Sequence, residues 1–459
     1  MTRSARSLYV RIFAIAPVAI VATIATVAIV ATVALLMTIV SVPLRAQTPP
    51  AAAPAHAPPP GPENSQIRAI TFFLNIDRAD YQAQIADAYK SLRFARTVFE
   101  SRGYTVQNLQ IATQPFPEYL QGLDSAQALS FFQQLDALAA KDNLQISIGP
   151  AMYHSRDGAA QAELLTSILL NTKFLSGSIV VADKDGLHNN AAGAAARIIK
   201  KLSEGTPNSQ GTLRFAALAM VPPLTPGSPA AYVDGFGHQF AVALQSANLV
   251  VRAVNGAPDA EAAKNRVTEA LGAGAYDVED LAGRVDGETG WAYVGIDLSP
   301  EPSKDDSLGA AIETLSGHQV GSPESIAAAR TISAGIQGVG LKKTGFNALP
   351  LAILEDRTLA QRWSEGHISI DTLLDYFPAG TTGLDDVPLP SDVSGSQLEL
   401  IIVNAASMAY RARKPLMLRL VPVADKPVHY RTEFDDPRLV NVMLQPLKYP
   451  APKNSGPKE

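Results

Sequence analysis

Carboxylates set just after short apolar runs are the residues of this chain best suited to chemistry. Asp297 ends YVGID, Glu355 and Asp356 end LAILED, and Asp385 and Asp386 follow a glycine-rich turn. Asp305, Asp306 and Asp392 join them from loops. In parallel α/β folds the carboxyl ends of strands carry binding sites, so these acids are expected to converge. Such a set offers hard oxygen ligands to Mg²⁺, Mn²⁺ or Ca²⁺, and Asp297, Glu355 and Asp385 are the expected metal ligands. One of the acids could equally serve as a general base. Taken singly, each has a plainer reading. Asp356 precedes RTLAQRW, Asp306 precedes SLGAAIETL and Asp436 precedes Pro437, all suited to capping a helix.

Basic residues lie in the same stretches. Arg357, Arg362, Lys414 and Arg419 could clamp an anionic ligand. Arg419 sits inside the apolar run PLMLRLVPV, where a charge is costly unless paired, so a carboxylate partner is expected there. The competing reading is a structural ion pair. Of seven histidines no two have helical metal-site spacing. His154, just after SIGPAMY, is the candidate of this type because it follows a strand end. No GxSxG elbow, phosphate-binding loop or dinucleotide fingerprint occurs.

These residues need a scaffold. IRAITFFLNI from Ile67, Leu144 to Ile148, Ser178 to Ala182, Leu213 to Val221, WAYVGIDLS from Trp291, Ala348 to Leu354 and PLMLRLVPV from Pro415 read as strands. Helices are expected over about Asp80 to Ser101, after Asn190, and over His238 to Val254, Ala260 to Leu271, Ala327 to Ile336 and Leu398 to Arg411. Short apolar strands separated by helices predict a mostly parallel sheet covered on both faces. No linker divides the body, so residues 67–447 form one large α/β domain, either a closed barrel or an open doubly wound sheet.

Ahead of it, Ile12 to Leu44 carries no charge and is longer than the roughly 20 residues that span a bilayer. Arg3, Arg6 and Arg11 precede the run and Arg45 closes it. Residues 1–46 are therefore expected to be a signal anchor, or a long signal peptide cleaved after Ala46, with the body on the extracytoplasmic side or in the periplasm. Residues 47–66 are a Pro/Ala-rich spacer and 448–459 a disordered tail. The first 46 residues hold four arginines and no acid, so the rest carries −9 rather than the −5 of the whole chain. That balance argues against nucleic acid as a partner. It leaves the membrane, a small polar ligand and a second copy of the chain as partner classes. The chain has no cysteine, which closes disulfides, iron–sulfur clusters and cysteine-ligated metals.

The blocks VGIDLSPEPSKDDSLGAAIETL, LPLAILEDRTLAQRWSEG, GLDDVPLPSD and RKPLMLRLVPV, in this order, resemble the domain of unknown function 711 family. RAITFFLNI, SIGP, LRFAALAMVPP and PGSPAAY fit the same family, so the resemblance spans Ile67 to Leu447. It implies an α/β barrel shaped like those of glycyl-radical enzymes such as pyruvate formate-lyase, and implies no reaction. The sequence departs from the family where Gly380-Thr381 stands for a cysteine and a glycine, Pro390-Ser391-Asp392 for Pro-Gly-Asp, and Glu324-Ser325 for Gly-Thr. Its turn before the LPLAILED block is KTGFN, Lys343 to Asn347. The leading expectation is a carboxylate-rich pocket for a small polar ligand, with or without a divalent metal. The rival is a non-catalytic binding or scaffold module on an enzyme-like barrel.

Overall fold

The computed structural model describes residues 66–449. The expected anchor, spacer and end of the tail lie outside these residues. Among them no helix is long and apolar enough to cross a membrane. The described residues hold ten strands: β1 (Gln66–Leu74), β2 (Thr105–Thr113), β3 (Gln145–Pro150), β4 (Leu175–Asp183), β5 (Gly186–Leu187), β6 (Phe215–Ala219), β7 (Gln239–Gln245), β8 (Ala292–Asp297), β9 (Gly383–Leu389) and β10 (Leu416–Pro422). Their order is β8-β7-β1-β2-β3-β4-β6-β10-β9, with β5 paired to β4.

Two parallel halves meet antiparallel. β1, β2, β3, β4 and β6 run one way. β7 and β8 run the other way beside β1, and β10 and β9 beside β6. Such strands need helical crossovers, and those helices cover the sheet. In α1 (Tyr81–Ser101) Ile85, Ala88, Leu92, Ala95 and Phe99 recur at helical spacing and are buried.

The free edges, β8 and β9, are joined by residues 342–353. Ile296 N–H donates to Lys342 O (2.9 Å) and Thr344 N–H to Ile296 O (3.0 Å). Further along, Thr382 N–H donates to Leu349 O (3.1 Å) and Ile353 N–H to Asp385 O (3.2 Å). The bridges to both edges are parallel, so this segment completes the second half and closes the sheet on itself. Closure leaves no unpaired edge. The segment is not the regular strand expected at Ala348 to Leu354, because Gly345 and Asn347 adopt positive φ and Pro350 lacks an N–H.

Part of the lumen is filled by backbone. Residues 222–237 turn inward, where Gly227 N–H donates to Thr71 Oγ1 (3.2 Å) and Ser228 N–H to Gln110 Oε1 (3.1 Å). Ser147 Oγ donates to Ala231 O (2.7 Å). Thr71, Gln110 and Ser147, which point in from β1, β2 and β3, are thus polar because they satisfy a buried loop, while Phe73 and Ala112 pack against its Ala231 and Val233.

The helix expected over His238 to Val254 is instead β7 followed by a short helix, α5 (Ala247–Val254). Phe240 to Leu244 is buried on both faces, so its apolar run lacks the alternation that marks a strand. His238, at φ +60°, stacks on Trp291 with ring centroids 4.1 Å apart. The helix expected to end at Leu271 continues to Thr289 as α6 (Ala260–Thr289).

Gly295 tests the closure. Its φ is +143°, and a Cβ there would come within 2.8 Å of Lys342 O. Gly295→Ala should cost roughly 2–4 kcal/mol in urea unfolding. Gly283→Ala, on an exposed stretch of α6 with no atom within 4 Å of the new methyl, should add about 0.5–1 kcal/mol. Equal effects of the two changes would contradict the closure.

Candidate functional site

A bulge between β9 and β10 brings acids and base together. Leu418 pairs with Leu384 and Leu420 with Val387, so Asp385 and Asp386 both stand opposite Arg419. Asp386 takes up the extra residue at φ +49°. In a regular strand the two carboxylates would face opposite ways; here both reach one guanidinium. Arg419 Nε donates to Asp385 Oδ1 (2.5 Å), and its Nη2 lies 3.2 Å from Asp386 Oδ2 and 3.9 Å from Glu355 Oε1. Burial opposes the charge on Arg419, but Asp385, Asp386 and Glu355 outweigh it and hold the guanidinium well above its usual range. Burial pushes the fully enclosed Asp386 carboxyl well up against the pull of Arg419, and Asp385 and Glu355 push it further.

Across the lumen stands a second pair. Arg68 Nη1 of β1 lies 3.2 Å from Glu301 Oε2, on the loop after β8. Gln245 at the end of β7 donates its amide to Glu301 O (2.7 Å). Burial, reinforced by Glu355 and Asp385 and opposed by Arg68, pushes the Glu301 carboxyl up to about 7.

Between these groups lies a cavity of about 430 Å³. Its walls include Glu301, Glu355, Asp385 and Arg419, with Met417 and Pro350 as apolar surface. Exposed Gln107, Asp305 and Arg438 stand at its rim. A second cavity of about 270 Å³ shares Glu355, Arg419 and Arg438 with the first. Thr382 is only 4% exposed and lines the larger cavity, yet its Oγ1 has no hydrogen-bond partner; the same is true of Ser228 Oγ. Such orphaned groups are costly unless something completes them.

The cavity lies at the carboxyl-terminal side of β7, β8 and residues 342–354, which lead to Glu301 and Glu355, but beside the first halves of β9 and β10, which carry Asp385 and Arg419. For β1, β2 and β3, which run the other way, it lies at the amino-terminal side.

Of the expected residues, Glu355, Asp385, Asp386 and Arg419 come together. Asp386 is enclosed behind Arg419 rather than on the cavity wall. Asp385 and Asp386 follow the glycine-rich turn but lie in the first half of β9, not at the carboxyl end of a strand. Asp297 is used elsewhere. Its carboxylate accepts from Ser299 Oγ (2.6 Å) and the N–H groups of Ser299, Phe346 and Asn347 (2.9–3.1 Å), pinning the turn of the closing segment. Asp297 does not line the cavity, so the trio Asp297, Glu355 and Asp385 does not assemble as a metal site. Among the described residues no group of three or more His, Cys, Asp or Glu side chains is placed to hold a metal ion.

Asp356 is structural. It accepts from Thr358 and Leu359 N–H at the start of α9 (Arg357–Ser364), and from Ser307 Oγ (2.5 Å) and Gly309 N–H at the start of α7 (Leu308–Ser316). The expected cap Asp306 is replaced by Ser307. Arg357 is exposed and pairs with exposed Asp305 (3.1 Å). His154 follows β3, at the opposite end of that strand from cavity-lining Gln145, and is exposed beside Tyr153.

Sequence reasoning missed Arg68, Glu301, Ser228, Thr382 and Arg438. Arg68 carried a usable signal, since it interrupts the apolar run QIRAITFFL just as Arg419 interrupts its own. At Gly380, φ is +100° and a Cβ would meet Ser333 Cβ at 2.9 Å. The position is closed to a side chain as the surroundings stand.

A family model described as "Uncharacterised ACR (DUF711)" matches residues 62–435. A UPF0210 protein of Pyrobaculum aerophilum is 30% identical over 397 residues, 79% of this chain and 86% of the relative. One of Pyrobaculum arsenaticum is 29% identical over 387 residues, 78% and 85% of the two chains. Among solved structures, the anaerobic ribonucleotide reductase of Thermotoga maritima in complex with dATP and CTP aligns with a TM-score of 0.42 and 9% identity, over 77% of this chain and 75% of that one.

Glu301 gives this geometry a pH signature. A carboxyl raised by folding lends stability that is complete below its unfolded value, near 4.5, and is lost as pH rises through about 7. The unfolding free energy of wild type minus that of Glu301→Gln should therefore fall by roughly 2–3 kcal/mol between pH 4 and pH 8. A flat or rising difference would show that Glu301 is not held as described.

Proposed function

The chain belongs to the uncharacterised DUF711 family, and on that footing we propose that its barrel binds a small polar organic molecule in the lumen, without thiol or radical chemistry. The observation that carries this reading is the unpartnered, buried Thr382 Oγ1 on a cavity whose wall also holds Glu301, Glu355, Asp385 and Arg419. The volume suits a small-molecule site, while the lining is more polar than usual. Glu301, able to give or take a proton near neutral pH, is the acid–base group of the site. The absence of cysteine supports the exclusion of thiol and radical steps.

In the same proposal the barrel is of the pyruvate formate-lyase type. It works outside the cytoplasm, either tethered through residues 1–46 or released after cleavage, and has no nucleic-acid partner. The uncharged run at 12–44 with arginines ahead of it supports export. A carboxyl-terminal alkaline phosphatase fusion of the full chain should be active, and the same fusion lacking residues 1–46 inactive; activity in both would refute export.

The ligand reading is tested by thermal-shift screening of a polar metabolite library. Thr382→Val should leave the unliganded melting temperature within about 2 °C, because it removes a hydroxyl without partners. At saturating ligand the wild type should gain several degrees, and Thr382→Val and Glu355→Gln clearly less. No stabilising compound, or shifts identical in all three proteins, would sink the proposal.

A further inference from the structure

The inner part of the cavity is short of positive charge. Its inner wall and the layer behind it hold four carboxylates, Glu301, Glu355, Asp385 and Asp386, against two guanidinium groups, Arg68 and Arg419. Arg68 is used by Glu301, and Arg419 is shared among the other three. Charges at the rim balance one another more nearly. Arg438 pairs with Asp436 (2.6 Å), which also feels Lys304, and its charge reaches Glu355 and Asp386 from the rim, while Asp305 pairs with Arg357. These rim groups face water, where their influence is screened.

Resting on the cavity being a ligand site, we propose that its ligand is a small aliphatic amine, bound as the ammonium ion between Glu355, Asp385 and Glu301, and that its arrival displaces a proton from this carboxylate array to solvent. A net negative charge buried in a low-dielectric wall is expensive. Without a cation the array lowers that cost by keeping protons, as the raised Glu301 and Asp386 carboxyls show. An ammonium ion supplies the missing charge together with three N–H donors. The oxygens of those three carboxylates and the free Thr382 and Ser228 hydroxyls are the acceptors, and all five residues line this cavity. Met417, Phe346 and Pro350 offer apolar surface to an alkyl chain.

A metal ion would supply charge too, but the described residues do not gather three ligands for one. No bond is made or broken apart from the proton transfer. The amine stays protonated throughout, and the proton lost by the carboxyl goes to buffer.

The test is isothermal calorimetry on the full chain with 1,4-diaminobutane and ethanolamine, and with 1,4-butanediol and succinate as neutral and anionic counterparts. Titrations run at pH 7 in phosphate and in HEPES, whose heats of ionisation differ. At least one amine should bind ten or more times as tightly as the diol, releasing roughly half a proton per site. Its affinity should fall roughly tenfold from pH 7 to pH 5.5, where Glu301 must first be deprotonated. Glu301→Gln should abolish most of the proton release, and Thr382→Val should weaken binding while leaving that release in place. Preference for the diol or succinate, failure of both amines, or binding without proton release overturns the inference. If the diol or succinate binds and Thr382→Val weakens it, the cavity remains a ligand site and only the amine is wrong. Amine binding indifferent to Thr382→Val and Glu355→Gln would remove both readings.

Discussion

One guanidinium organises the interior of this molecule. Arg419 lies in a strand whose neighbours on both sides are apolar and buried, and it is kept charged by carboxylates delivered from two directions. Two of them stand side by side only because β9 bulges at Asp386. The third, Glu355, arrives at the end of the segment that closes the barrel. Barrel closure, strand register and the charge of the cavity are therefore one arrangement. Opening the seam at residues 342–353 would withdraw Glu355, and regularising the bulge would turn one aspartate away.

The design separates two uses of carboxylates. Asp297 and Asp356 give both carboxylate oxygens to backbone N–H groups and hydroxyls of turns and helix starts, which gives the loops at this end of the barrel their shape. Glu301, Glu355 and Asp385 instead face open space. The first pair makes the second possible, since Asp297 pins the turn that leads to Glu355, and Asp356 fixes the helix start directly after it. Function resides in a minority of the acids, and the rest are scaffold.

The legible part of the sequence was the part where one residue conflicted with its surroundings. Arg419 inside PLMLRLVPV called for a buried carboxylate partner and has one. The cap at Asp356 followed from short-range rules. What stayed hidden depends on distant parts of the chain. Gln239–Gln245 is covered on both faces, so periodicity could not tell its strand from a helix. The Asp385–Asp386 bulge exists only relative to β10. Glu301 lies in a proline-flanked loop that looks like surface and is buried by Arg68 from the other half of the barrel. Asp297 sat at the right place in its strand, and only the turn folded over it showed that its oxygens were taken.

A buried ionic array of this kind is rarely the most stable way to fill a core, since apolar side chains of similar volume often do as well or better. The central claim is that this array is kept for what it binds. Equilibrium unfolding of a variant combining Arg419→Met, Asp385→Leu and Asp386→Asn tests it most directly, with asparagine chosen because it tolerates the positive φ at that position. The account predicts a folded variant at least as stable as wild type, with no ligand-induced thermal shift. A loss of several kcal/mol would contradict it, and would mean that the charges hold the barrel together rather than serve a ligand.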